Sequence, residues 1–328
     1  MDRRSFGKIS LGTTLGLAAQ AAWPQEAGFP SRPMRLVVPY PPGGGSDILA
    51  RAVAPAMGEL LGQPVLIDNR PGAATIIGAE TVARSAPDGY SLLLGNVATL
   101  AVNPSLFKEK LPYSPTRDFR SIGMMGRFGM ILVANPGLQA KSLPQLIEFA
   151  KRQSGPLNYA SPGIGSPHHL AMELLKDRAG IDMTHVAYKG IAPAIQDLIS
   201  GQVMLMVLDT GAGAAELIKS GRLKAIASFT DQRIPGFEDI PTTVEAGFKD
   251  LEVWGWQGLV VPSGVPDATV NKLSNALIGS LKNAAVSKRL LDAGITPAPM
   301  APAAFDKFWR DEGEKWRVLI EKAGIKLQ

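Results

Sequence analysis

Short apolar runs alternate with longer segments of helical periodicity along most of this chain, and this alternation constrains its fold more than any other feature. Leu49, Val53, Met57 and Leu61, for example, recur at helical spacing and predict an amphipathic helix. Such alternation is typical of a largely parallel α/β sheet. At 328 residues the chain exceeds the usual size of one domain, so we expect two lobes. The apolar runs that predict strands lie at 35–39, 65–67, 91–94, 130–133, 184–188, 203–208 and 224–228.

The first residues predict an export signal over 1–21. Arg3 and Arg4 open a cationic start, and the apolar run 9–19 that follows is too short to span a bilayer. Ala19-Gln20-Ala21 then offers a cleavage site. The string RRSFGK resembles a twin-arginine signal, with an ordinary Sec leader as the alternative. We therefore expect a periplasmic protein that is soluble after cleavage of its signal.

Composition excludes several classes of function. The sequence contains no cysteine, so it offers no disulfide framework and no thiolate nucleophile, and we expect the mature protein to be free rather than lipid-anchored. The net charge of +5 is mild, and Lys and Arg are scattered rather than clustered. Aromatic residues make up only 6% of the chain and are not interleaved with basic ones. These features argue against a nucleic-acid groove.

Four turns between predicted strands and helices are rich in Gly, Ser and Thr. Sheets of this class bind ligands where strands end and helices begin, and the first N–H groups of a helix favour an anion. In the first turn, three glycines let the backbone approach a ligand closely, and Ser46 or Asp47 is the predicted N-cap of a helix starting near Ile48. The same residues are also ordinary helix caps. The four turns lie at 41–47, 69–80, 95–99 and 159–170.

Catalytic and metal-binding interpretations have weaker support in the sequence. Ser166, His169 and Asp209 are the residues a hydrolase would use, but the string around Ser166 is not the G-x-S-x-G nucleophile elbow. His168 and His169 are adjacent, so on a helix they point about 100° apart and cannot chelate one metal together. We therefore predict a protein without enzymatic activity, cofactor or metal.

Taken in order, the turns and their flanking strings resemble one known family. RLVVPYPPGGGSDILAR at 35–51, NRPGA at 69–73, APDGYSLLLG at 86–95 and LNYASPGIGSPHHLAMELL at 157–175 carry the resemblance. HVAYKGIAPAIQDLISGQV at 185–203, GRLKAIA at 221–227 and IPTTVEAGF at 240–248 extend it. These strings are similar to the periplasmic receptors of tripartite tricarboxylate transporters, the TctC or Bug family.

The resemblance implies an α/β protein with the type II periplasmic-binding-protein fold, in which two α/β lobes are joined by a double-crossing hinge. Lobe 1 is expected to comprise 30–128 plus 254–328, and lobe 2 to comprise 129–253. The implied partners are a small organic carboxylate and a two-component membrane permease. We expect a monomer, and no interaction with nucleic acid.

The resemblance also implies which residues contact the ligand. One group comes from the turns of lobe 1, and another comes from the turn at 159–170 together with a far wall of lobe 2. The expected ligand-binding residues are Tyr40, Gly45, Ser46, Asp47, Thr75, Asn96, Thr99, Ser161, Gly163, Gly165, Ser166, His169, Tyr188, Lys189 and Asp209.

Two features leave the ligand open. The segment Ala73-Ala74-Thr75 replaces the last glycines of the Gly-Ala-Gly-Gly that the family usually has after NRP, and it adds side chains near the expected ligand. Asp209 is unfavourable for an anion, so it caps a helix or selects a ligand that carries ammonium or hydroxyl groups. Di- and tricarboxylates, aromatic acids and amino acids are all candidates. A receptor that signals to a sensor kinase is the alternative to transport.

Overall fold

The computed structural model describes residues 28–211 and 213–326, so the predicted export signal at 1–21 lies outside the described residues. The predicted strand at 224–228 has the predicted bounds, and the other six differ from theirs at one or both ends. The strands are β1 Met34–Val38, β2 Val65–Asn69, β3 Ser91–Asn96, β4 Phe119–Ala134, β5 Leu157–Ser161, β6 Met183–Ala187, β7 Leu205–Asp209, β8 Lys224–Ser228, β9 Trp254–Pro262 and β10 Thr296–Met300.

Helices separate most of these strands, as the alternating pattern predicts. A π-helical turn at Val97–Val102 and 3-10 turns at Ala73–Thr75 and Lys108–Lys110 add to them. The α-helices are α1 Gly45–Leu61, α2 Ile76–Ala83, α3 Asn103–Phe107, α4 Pro115–Asp118, α5 Leu143–Arg152, α6 Pro167–Ala179, α7 Ile191–Ser200, α8 Ala214–Lys219, α9 Asp267–Leu281, α10 Ala284–Asp292 and α11 Pro302–Lys322.

Helix α1 illustrates how the sequence specifies an element. Its apolar stripe, which includes Leu49, Val53 and Met57, is buried, and Gly62 ends the helix in the left-handed region with φ of 74°. The prediction that Ser46 or Asp47 caps the helix was wrong. The helix begins at Gly45, and its N-cap is Gly44, which makes no side-chain capping bond.

The strands form one curled sheet in the order β2-β1-β3-β9-β4-β7-β5-β6, with β8 and β10 also paired to β4. The neighbours β2, β1 and β3 are parallel, as are β7, β5 and β6, whereas β9 and β4 are antiparallel to their neighbours. Each parallel group therefore carries its strand-to-helix turns at one edge, which is where ligands bind in such sheets.

Strand β4 links the two groups of parallel strands. Its first part pairs with β9 as far as Gly129↔Trp254. Its second part pairs with β7 from Met130↔Asp209 onwards. The partner thus changes between Gly129 and Met130, so a single 16-residue strand belongs to both halves of the sheet.

Large aromatic side chains of the C-terminal segment complete the core. Trp256 on β9 packs edge-on against Phe305, with 5.7 Å between the ring centroids. Phe305, Trp309 and Trp316 on α11 are buried in the same apolar cluster, which includes residues from both groups of strands. Over residues 28–211 and 213–326, no helix is long and apolar enough to cross a membrane.

Candidate ligand-binding cleft

Two glycine-rich turns lie in equivalent places in the two groups of parallel strands. The first follows β1 and leads into α1 at Gly45. The second follows β5 and leads into α6 at Pro167. Both therefore present the start of a long helix at the carboxyl end of a strand, where free N–H groups favour an anionic ligand.

Asp47 holds the first turn in place. Its Oδ2 accepts hydrogen bonds from the Gly43 amide at 2.9 Å and from Arg51 Nε at 2.8 Å, and its Oδ1 accepts from Asn69 Nδ2 at 2.9 Å. Asn69 also donates to the Tyr40 carbonyl at 3.1 Å. The Arg51 hydrogen bond, supported by those from Gly43 and Asn69, lowers the pKa of Asp47 to about 2, against desolvation. Asp47 is therefore an ionised support for the turn, with its oxygens already occupied.

Four polar side chains cluster behind the first turn. Asn96 Nδ2 donates to the Tyr40 hydroxyl at 3.1 Å, and Gln257 Nε2 donates to Ser46 Oγ at 2.9 Å. Asn96 and Gln257 lie opposite each other in the β3–β9 register. Burial raises the pKa of Tyr40 to about 12, so its hydroxyl stays neutral. The structure therefore brings together the predicted Tyr40, Ser46 and Asn96.

Gln257 is the member of this cluster that the sequence analysis missed. It is 5% exposed, and its Oε1 has no hydrogen-bond partner among the described residues. The available signal was a lone amide inside the apolar strand string GWQGLVVP. A buried amide in such a strand needs partners, and here one of them is the hydroxyl of Ser46.

The side chains of Thr75 and Thr99 hydrogen-bond to each other and are buried, so they are not exposed at the surface of the turns. Thr99 Oγ1 donates to Thr75 Oγ1 at 2.9 Å, and both residues are buried. Ala73, Ala74 and Thr75 have positive φ values of 46°, 52° and 76°. Three successive residues in this region are strained because each carries a Cβ. The altered turn after NRPGA therefore keeps the left-handed backbone angles that glycine adopts most easily, although its residues carry side chains.

The second turn is held by neutral groups. The Gly165 amide donates to His169 Nδ1 at 3.0 Å, and Ser166 caps α6 by accepting from the His169 amide at 3.3 Å. Ser161 Oγ donates to the Gly163 carbonyl at 3.0 Å. Gly163 and Gly165 have φ of 153° and 74°, which only glycine adopts easily. The structure therefore places these five predicted residues together.

Three stacked rings, those of His169, His185 and Tyr159, pack against this second turn. His169 and His185 lie parallel with centroids 3.8 Å apart, and Tyr159 stacks on His185 at 5.0 Å. Ser161 Oγ contacts His185 Nε2 at 2.7 Å. Burial lowers the pKa of His169 to about 3, and burial also lowers the pKa of His185. Both imidazoles are therefore neutral near pH 7, which permits their close stacking.

The residues predicted for the far wall are less closely grouped. The Tyr188 hydroxyl donates to Asp197 at 2.7 Å, and Lys189 is exposed. Asp209 ends β7, and its Oδ1 accepts from the Gly211 amide at 3.0 Å. Its Oδ2 lies 3.4 Å from Nε2 of His168, a residue outside the predicted set.

Ser166, His169 and Asp209 do not form a catalytic triad. The Ser166 hydroxyl contacts the backbone N–H of His169, whereas the imidazole Nδ1 is used by Gly165. Asp209 lies beside His168 instead. A nucleophile, base and orienting acid must be hydrogen-bonded in series, and these three are not.

Comparison with known proteins places this chain among solute-binding proteins rather than enzymes. The model of the "Tripartite tricarboxylate transporter family receptor", TctC, matches residues 49–325. The chain belongs to this family, as the sequence analysis predicted. BugT of Bordetella pertussis is 34% identical over 319 residues, which are 97% of this chain and 97% of that protein.

Solved structures of relatives confirm the predicted fold class. An R. palustris protein solved with adipate has a TM-score of 0.79 and 32% identity, and the match covers 91% of this chain and 99% of that one. MatC from Rhodopseudomonas palustris with bound malate has a TM-score of 0.76 and 32% identity, with 89% and 100% covered.

Proposed function

We propose that this protein captures a small organic carboxylate between two lobes and delivers it to a membrane permease. The observation that carries the proposal is the pair of glycine-rich turns at the starts of α1 and α6. Each turn is fixed by a bond from a glycine amide to the side chain four residues later, Gly43 to Asp47 and Gly165 to His169. Fixed N–H groups and hydroxyls at helix starts stabilise a carboxylate without a formal cation.

The lobes of this proposal are 30–128 plus 254–328 and 129–253, as the family resemblance implied. The change of strand partner between Gly129 and Met130 supports one of the two crossings. The segment between β8 and β9 supplies the other. A ligand that contacts both turns favours the closed arrangement, because only that arrangement makes both sets of contacts.

The pocket of this proposal is lined by the predicted residues of the two turns, with Asp47 and His169 as supports. Relatives solved with adipate and with malate support a carboxylate ligand. Thr75 and Thr99 lie behind the residues that line the pocket, since their hydroxyls hydrogen-bond to each other. We therefore expect them to shape the pocket rather than to touch the ligand.

A thermal-shift screen of carboxylates tests this function. A ligand present at 100 times its dissociation constant should stabilise the protein by about 2.7 kcal/mol. Native mass spectrometry of gently purified protein identifies a ligand that co-purifies. If neutral or cationic solutes raise the melting temperature and no carboxylate does, the carboxylate proposal is wrong.

Export to the periplasm is part of the same proposal and rests on residues 1–21. Replacing Arg3 and Arg4 together by Lys should abolish export through the twin-arginine route and leave a Sec route working. Cell fractionation and N-terminal sequencing of the exported protein measure both the route and the cleavage site. Retention of full-length wild-type protein in the cytoplasm would contradict this part.

A further inference from the structure

His168 is a largely buried histidine whose side chain has lost water without gaining a partner. The side chain is 12% exposed. Its Nδ1 and Nε2 are both closed off from solvent, and neither has a hydrogen-bond partner among the described residues. An unsatisfied buried donor or acceptor destabilises the folded state, so a protein seldom keeps such a ring without a use.

The other two histidines of the chain make the contrast clear. His169 is the next residue on α6, and its Nδ1 accepts from the Gly165 amide. His185 stacks on the His169 ring, and its Nε2 is hydrogen-bonded to Ser161 Oγ. Each of these rings has a structural role in the second turn. His168 has no equivalent role in the described part of the chain.

The carboxylate of Asp209 lies close to the His168 ring. Its Oδ2 lies 3.4 Å from Nε2, too far or too poorly aligned for a good hydrogen bond, while Oδ1 accepts from Gly211. His168 lies in the first turn of α6 and Asp209 at the end of β7. Since β7 pairs with β5, the pair lies beside the second turn, on the ligand-binding edge of the sheet.

We propose that His168 and Asp209 recognise a hydroxyl group on the bound carboxylate, an inference that rests on the proposed function. The imidazole of His168 offers an N–H donor at Nε2, and the Asp209 carboxylate offers an acceptor beside it. A hydroxyl both donates and accepts, so it satisfies the pair. A second carboxylate is repelled by Asp209, and an ammonium group leaves the imidazole N–H unpaired. The favoured ligand is therefore a hydroxy acid.

Matched pairs of acids with and without one hydroxyl test the inference by isothermal titration calorimetry. Succinate and malate, glutarate and 2-hydroxyglutarate, and phenylacetate and mandelate cover three skeletons, with both enantiomers of each hydroxy acid. We expect the wild-type protein to bind the hydroxy member of its best pair at least about tenfold more tightly. Aspartate, with ammonium in place of the hydroxyl of malate, should bind less tightly than malate.

The variant His168→Phe keeps a ring of similar shape and removes both nitrogens. It should reduce the preference for the hydroxy acid to within about twofold, and change the affinity for the plain acid by no more than about twofold. Asp209→Asn should also reduce the preference while keeping an oxygen for the Gly211 amide. Melting temperatures confirm that both variants fold, and binding of the plain acid to His168→Phe serves as an internal control for an intact pocket.

The outcomes separate this inference from the proposed function. Carboxylates that bind without any preference for a hydroxyl overturn the role of His168 and leave the receptor function standing. Tighter binding of aspartate than of malate also overturns it, because the pair would then read an ammonium group. Failure of every acid in the panel, with binding of neutral or cationic solutes, contradicts the proposed function itself.

Discussion

The two glycine-rich turns are fixed by the same kind of hydrogen bond, but the side chain that accepts it is charged in one turn and neutral in the other. In each, the amide of a glycine donates to the side chain four residues later, at 2.9 Å for Gly43 and Asp47 and at 3.0 Å for Gly165 and His169. Asp47 is ionised and paired with Arg51. His169 is neutral and buried among other rings.

This difference shows that the i to i+4 bond, rather than charge, is the common device for fixing a turn at a helix start. A charged support needs partners on several sides, which Arg51 and Asn69 provide. A neutral support needs only burial and stacking, which His185 provides. The two turns should therefore respond differently to substitution and to pH.

The largest effect is expected when the charged support is removed. Asp47→Leu leaves the Gly43 amide, Arg51 and Asn69 without an acceptor, and should lower the free energy of unfolding by roughly 4 kcal/mol. Asp47→Asn retains one carbonyl oxygen and should cost less than half as much. Urea denaturation measures both. Equal losses in the two variants would mean that the charge, not the hydrogen-bond geometry, fixes the turn.

A glycine-to-alanine substitution in each turn tests how much space surrounds the backbone there. A Cβ on Gly165 would overlap Leu106 of α3, whereas nothing lies within 4 Å of a Cβ on Gly43; both residues have positive φ. Gly165→Ala should therefore cost roughly 3 kcal/mol and Gly43→Ala roughly 1 kcal/mol, measured by thermal denaturation. Adding Leu106→Ala should recover part of the loss at Gly165. If Leu106→Ala recovers no stability, the loss in Gly165→Ala comes from backbone strain alone and not from the contact with Leu106.

Acidification should weaken the second turn before the first. The pKa of His169 is lowered from 6.5 to about 3, so below pH 6.5 the unfolded chain binds a proton that the folded chain excludes. Stability present above pH 6.5 is therefore lost as the pH falls, by roughly 2 kcal/mol at pH 5. The pKa of Asp47 is lowered from 3.8 to about 2, so its contribution is lost only below about pH 4.

Denaturation at pH 7 and pH 5 measures this difference. His169→Gln keeps an acceptor for the Gly165 amide and cannot gain the proton, so its stability should depend less on pH. His185, whose pKa is also lowered, accounts for the dependence that remains. An unchanged pH dependence in His169→Gln would contradict the neutral-support interpretation.

The smallest effect concerns the two helix caps. Ser166 caps α6 through its side chain, whereas Gly44 caps α1 without one. Ser166→Ala should cost about 1 kcal/mol, and Ser166→Asn should restore most of it. Gly44→Ser should instead gain a few tenths of a kcal/mol, since Gly44 has extended backbone angles suited to serine. A loss of stability in Gly44→Ser would show that the first turn tolerates no added side chain.

Local chemistry made part of this site predictable. The strand-to-helix turns, the apolar stripe of α1 and the clustering of Ser161, Gly163 and Ser166 all follow from residues close in sequence. The family resemblance added Tyr40 and Asn96. The cap of α1 was predicted wrongly because the glycine-rich segment lets the helix start at Gly45, three residues earlier than the apolar pattern indicates.

The remaining contacts join residues that are far apart in sequence. Gln257 meets Ser46 across 211 positions, and His185 meets Ser161 across 24. The strands β9 and β10 and the first part of β4 were also missed, since Gly and Pro interrupt their apolar patterns. Spacing rules describe one element at a time, so partners brought together by the sheet lie beyond them.

The long strand β4 has a consequence for the order of folding. Its second part can pair with β7 and β8, which are complete once residue 228 has been made. Its first part needs β9 and β10, which are made only after residue 253. The strands of the second group are therefore complete while the first group, although begun earlier, still lacks β9, which joins β3 to β4. By chain order alone, the sheet around the N-terminal strands is therefore the last that can be completed.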